Sequence, residues 1–136
     1  MQEARSPMLE TKRVAEIFQD AWVLYDDAME ELGRGKLRDA AEKAWGATLR
    51  ATAGLILARS GQEPERSDLT SRELNILAEA DERIERELVP RYYTRMGSLH
   101  GDCFYLGVLE PHEVLERRIR ETADYIRNAQ GLANGG

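Results

Sequence analysis

The sequence is poor in the residues from which most protein chemistry is built. It holds one cysteine, Cys103, and two histidines, His100 and His112. A single thiol excludes an internal disulfide, and one thiol with two imidazoles gives too few good ligands for a zinc site. The positions three residues before the histidines are Gly97 and Leu109, so the Glu-x-x-His pairing by which helical bundles hold two metal ions is missing. No glycine-rich phosphate loop follows a strand, and no G-x-S-x-G turn or paired cysteine and histidine points to acyl transfer. The expectation is a chain that uses no metal and no cofactor.

Long apolar runs are missing as well. Nothing approaches the roughly 18 consecutive apolar residues of a membrane span, and the opening MQEARSPMLETKR lacks the apolar centre of a secretion signal. These features lead to the expectation of no membrane partner and a cytoplasmic location, with which one cysteine is compatible. The formal charge is −6, so no global positive field draws the chain to nucleic acid, and any such contact must rest on a local basic patch. Prolines number four and glycines eleven, mostly between periodic segments.

What is present is helical periodicity. Hydrophobic residues make up 42% of the 136 positions and charged residues 32%, a globular mixture. From Lys12 to Leu32, apolar positions including Ile17, Phe18, Ala21, Tyr25 and Ala28 recur at steps of three and four, as one stripe of a helix does. Gly33 and Gly35 end it. From Lys36 to Arg59, Leu37, Ala41, Ala44, Thr48, Ala51 and Leu55 form a seam of mostly small residues, while Trp45, Leu49, Ala53 and Ile56 add a second apolar face. That helix is expected to lie centrally, with neighbours on two sides. Residues 60–68 have turn composition, and Thr70 with Glu73 can form a capping box that opens a third helix. Pro90 is expected to kink or divide this segment near Val89. A fourth helix carries RYYTRMGSLHG, and Glu110 and Pro111 precede a last one striped by Leu115, Ile119, Thr122, Ile126 and Ala129.

The pattern predicts an all-α, antiparallel bundle of four to five helices. It is read as one domain over residues 12–130, between a flexible N-terminus (1–11) and a flexible tail (131–136). The connection GDCFYLGVL, residues 101–109, is unusually apolar and is expected to be buried or covered by a partner. A second copy of the chain is the obvious candidate.

The segment RYYTRMGSLHGDCFY gathers cations, aromatics and an imidazole as no other part of the chain does. Arg95, four intervening residues and His100 resemble the Arg, four to six residues, His pattern of the HEPN superfamily, with tyrosine and phenylalanine flanking it. The alanine-rich helix and loop before it, RDAAEKAWGATLRATAGLILARSGQEPE, look like the corresponding part of that family, and the chain is similar to its archaeal PaREP-like branch of unassigned function. The resemblance implies a HEPN-like helical domain acting as a homodimer. In active relatives it implies metal-independent RNA cleavage at a site formed between two protomers, with His100 as acid or base and Arg95 as phosphate clamp. Those residue types suit the chemistry, because imidazole exchanges protons near neutrality and guanidinium offers a planar fork to phosphate. Arg91, one turn before Arg95, extends the patch, and Tyr93 and Asp102 join it as binding residues. Met96 departs from the active pattern, where a polar residue follows the arginine, and methionine cannot orient a histidine by a strong hydrogen bond. The resemblance then implies a non-catalytic module that binds a nucleotide, RNA or a protein partner of the nucleotidyltransferase type, as in a toxin–antitoxin pair.

The same residues admit a structural reading. Five residues of α-helix turn about 500°, which leaves Arg95 and His100 about 140° apart, unless Gly97 breaks the helix or a second copy supplies the missing group. Arg95 can pair with Asp102, and His100 with Asp102 or a backbone carbonyl. Tyr92, Tyr93, Phe104 and Tyr105 suit core or interface packing. Arg117, Arg118, Arg120 and Arg127 suit a solvated face, His112 an exposed position, and Cys103 a small buried one.

Overall fold

The structure, a computed structural model, describes residues 7–135. Helix α1 spans Pro7–Gly33 and α2 spans Leu37–Ser60. Gly35 takes a φ of 76° in the turn between them, a left-handed conformation that costs glycine little because it has no Cβ. The two helices fold back on each other, and the small seam of α2 allows a close approach. A Cβ added at Gly54 would lie 2.8 Å from the Phe18 ring. As expected, α2 is central and is packed against α1, α3, α7 and the segment carrying His100. Leu37, Ala40, Ala44, Ala51 and Leu55 join Phe18, Leu74, Tyr92, Ile119 and Ile126 in one core.

Helix α3 spans Ser67–Ala80, followed by the short helices α4 (Glu82–Glu87) and α5 (Val89–Arg95). The capping box does not form. The helix begins three residues earlier than Thr70, whose side chain is buried inside it, because the core position takes precedence over the capping role. Asp81 separates α3 from α4 and caps the latter, its carboxylate accepting from the Arg83 backbone N–H at 2.9 Å. Pro90 stands in the first turn of α5, where its missing N–H is not needed, so the division expected near Val89 is found.

Residues Met96–Tyr105 continue α5 as a π-helical segment. Gly97 lies within it, so the helix is widened there rather than broken. Helix α6 (His112–Arg120) and α7 (Thr122–Ala133) follow, divided at Glu121. The last helix was expected as one piece. Its two parts meet beside Arg95, which bonds both.

Among the described residues there is no strand, and no helix is long and apolar enough to cross a membrane. The chain is an all-α bundle. The segment expected at 1–11 is helical from Pro7, its first six residues lying outside the described range, and α7 extends past residue 130 to Ala133. Gly136 also lies outside that range.

Candidate functional site

Arg95 ends α5 on the inner side of the bundle and is 5% exposed. Its Nε donates to Thr48 Oγ1 at 3.0 Å, one terminal nitrogen to the Arg118 carbonyl at 3.0 Å, and the other to Thr122 Oγ1. The guanidinium also lies 5.7 Å from the centre of the Tyr125 ring, within range of a cation–π contact. These partners explain the division of the last helix. Arg118 is in the last turn of α6 and Thr122 opens α7. The final carbonyls of a helix have no partner within it and carry partial negative charge, so a buried cation fits there. Burial lowers the Arg95 pKa to about 10, so the group remains charged at neutral pH.

The threonines are ordered in turn. Thr48 Oγ1 donates to the Ala44 carbonyl and Thr52 Oγ1 to the Thr48 carbonyl. A hydroxyl has one proton, so Tyr125 donates to Thr52 across their 2.7 Å contact. Burial raises the Tyr125 pKa above the usual phenol range. Arg91, one turn before Arg95, lies 5.5 Å from the same ring and donates to Asn128 Oδ1 at 2.8 Å.

His100 has different company. Its Nδ1 lies 3.0 Å from Glu42 Oε1, and its ring stacks against Trp45 (centroids 6.1 Å apart, 27° between planes) and Phe104 (6.3 Å, 15°). The side chain is half-exposed, as is that of Glu42. An i→i+5 helix has more residues per turn than an α-helix, so five steps from Arg95 to His100 come nearer to a whole revolution than the α-helical reading allowed. Both residues therefore reach α2. They meet it at different levels, Arg95 at Thr48 inside and His100 at Glu42 and Trp45 on the edge, and among the described residues they have no shared hydrogen-bond partner.

Asp102 is exposed and pairs with neither Arg95 nor His100, whose contacts lie elsewhere. This corrects the ion pair and the histidine contact expected for it. The widened segment changes the register that would have brought Asp102 round to Arg95. Tyr93 is on the surface, its hydroxyl accepting from Asn75 Nδ2 at 2.8 Å. Arg117, Arg120 and Arg127 form exposed pairs with neighbouring carboxylates, His112 is exposed and Cys103 is buried, all as expected.

Sequence reasoning missed two residues of this region. Glu42 is 58 positions from His100 and reads as one more charge on an amphipathic helix. Arg38, one turn earlier, donates from Nε and a terminal nitrogen to the Phe104 carbonyl at 3.0 and 2.6 Å. It holds the end of the π-helical segment against α2. Beyond that anchor Tyr105 is 73% and Leu106 66% exposed, and Val108 and Leu109 are exposed too, so the described residues leave this apolar stretch uncovered. Among the described residues, no cluster of histidine, cysteine and carboxylate side chains is arranged to hold a metal ion.

Residues 16–125 match the model of one protein family, described as the archaeal PaREP1/PaREP8 family. No curated protein and no solved structure matches the chain.

Proposed function

The chain belongs to the archaeal PaREP1/PaREP8 family, and from its geometry we propose that it is a HEPN-like, non-catalytic docking module that acts as a homodimer through the segment around residues 101–109. The carrying observation is the run Tyr105, Leu106, Val108 and Leu109, exposed immediately after a turn that Arg38 clamps to α2. A fixed apolar patch gains free energy when a partner removes it from water, at roughly 25 cal/mol per Å². A second copy offers the same patch in a twofold arrangement, the commonest solution among homo-oligomers. Arg95 argues against catalysis, because each of its three nitrogens already donates within the chain and its side chain is buried.

A second reading, metal-independent RNA cleavage at the dimer interface, is favoured by one observation: His100 is half-exposed and already held by a carboxylate. A histidine oriented in that way is the common form of a general base.

Sedimentation across a concentration series tests the docking reading. Wild type should show a reversible monomer–dimer equilibrium, and the double variant Leu106→Asp with Leu109→Asp should remain monomeric with unchanged helical content. A wild type that stays monomeric at high concentration refutes self-association and turns attention to a different protein, such as one of the nucleotidyltransferase type, or to a bound nucleotide.

A further inference from the structure

The contact between Glu42 and His100 fixes more than a position. An ionised carboxylate only accepts hydrogen bonds, so the proton in the 3.0 Å contact with Glu42 Oε1 sits on Nδ1. A neutral imidazole carries one N–H, which leaves Nε2 with its lone pair. No described protein atom bonds Nε2, and it is not among the buried polar atoms without partners; with 44% of the side chain exposed, this nitrogen faces solvent.

One face of α2 builds the arrangement. Arg38, Glu42 and Trp45 recur at helical spacing along it. Arg38 holds the Phe104 carbonyl, Glu42 holds Nδ1, and Trp45 with Phe104 stacks on the imidazole. The ring is thus constrained in plane and in tautomer, as metal-bound and catalytic histidines are by a carboxylate behind them.

We propose that Glu42 is a positioning residue that locks His100 as the Nδ1–H tautomer and makes Nε2 an outward hydrogen-bond acceptor, directed at a hydroxyl or N–H of the second copy that docks on this edge. The choice of ligand rests on the docking reading above, whereas the tautomer is a property of the single chain and is tested separately.

The test is a long-range nitrogen–proton correlation spectrum of the imidazole at a pH where it is neutral, read with sedimentation on the same samples. His112 serves as an internal comparison, and circular dichroism reports folding. Wild type should show the Nδ1–H pattern for His100. Glu42→Leu should shift it toward the Nε2–H tautomer that predominates in free imidazole side chains, and Glu42→Gln, which keeps an acceptor oxygen, should restore the wild-type pattern. Self-association should weaken about 30-fold in Glu42→Leu, the equivalent of one neutral hydrogen bond at each of the two symmetric contacts, and recover in Glu42→Gln. An Nε2–H pattern in wild type, or no change in Glu42→Leu, overturns the positioning role. A tautomer that responds as expected while the dimer constant stays the same overturns the assignment of the ligand to the second copy. A monomeric wild type with the Nδ1–H pattern refutes the docking reading and leaves the role of Glu42 supported.

Discussion

Replacing Arg95 separates an interior cation from a ligand-binding one. In Arg95→Met the aliphatic volume is largely kept, but Thr48, Thr122 and the Arg118 carbonyl lose their donor. Hydrogen bonds to charged groups contribute about 1.5–3 kcal/mol each, and the desolvation of the guanidinium offsets part of their sum. The aromatic contact with Tyr125 adds about 1 kcal/mol. Leaving these three neutral oxygens without their donor costs about 1–3 kcal/mol each, and relief of the guanidinium's desolvation offsets part of that, for a net loss of about 3–5 kcal/mol. Against a total stability on the order of 5–15 kcal/mol it is a large fraction. It corresponds to a fall on the order of 10–20 °C in the melting midpoint for a chain of this size. Urea unfolding followed by circular dichroism measures it directly. Arg95→Lys should recover only part of the loss, since an ammonium cannot reproduce a fork aimed at three acceptors. An arginine whose only task is to meet phosphate at the surface would change stability by about 0.5 kcal/mol or less when replaced. A result in that range for Arg95→Met would refute the reasoning.

Three further perturbations probe other parts of the fold. Gly54→Ala places a methyl group 2.8 Å from the Phe18 ring and should destabilise the α1–α2 packing by about 1–3 kcal/mol; an unchanged urea midpoint would show that the ring yields freely. Asp81 has its carboxyl pKa lowered by the Arg83 backbone N–H and then by Arg59, so its contribution is present above the unfolded value near 4 and is lost as pH falls through the lower folded value. Asp81→Asn should therefore show a shallower acid loss of stability than wild type, and equal slopes below about pH 4 would contradict this. Burial raises the Tyr125 pKa, so its contribution is full below the unfolded value near 10 and falls as pH rises beyond it. Tyr125→Phe should accordingly lose less stability than wild type as pH rises from about 10 to about 12, and parallel curves would count against it.

The helices were legible because burial imposes the periodicity from which they are read. The small seam of α2 gave its central place, and Pro90 marked the division before α5. Local signals failed where packing competed with them. Thr70 and Glu73 have capping-box spacing, but Thr70 is needed in the core and the helix starts ahead of it. The division at Glu121 carries no proline or glycine, and what occupies it is a cation from a different helix. Around the candidate site, the sequence identified the right segment and the unusual residues in it. It could not give the widened turn after Arg95, because a π-helical segment has no distinctive spacing, and without that turn the Arg95–Asp102 pair looked reasonable. Glu42 was illegible for another reason: nothing local distinguishes a glutamate that faces a histidine 58 positions away from one that faces water.

Arg95 is, on this account, part of the scaffold, and His100 with Glu42 belongs to a docking edge. The most direct measurement is incubation of the purified protein with mixed RNA in excess chelator, beside His100→Ala and Arg95→Lys, with folding verified in each. The account predicts no cleavage that depends on His100. Chelator-resistant cleavage by wild type that disappears in both folded variants would contradict it and establish the nuclease.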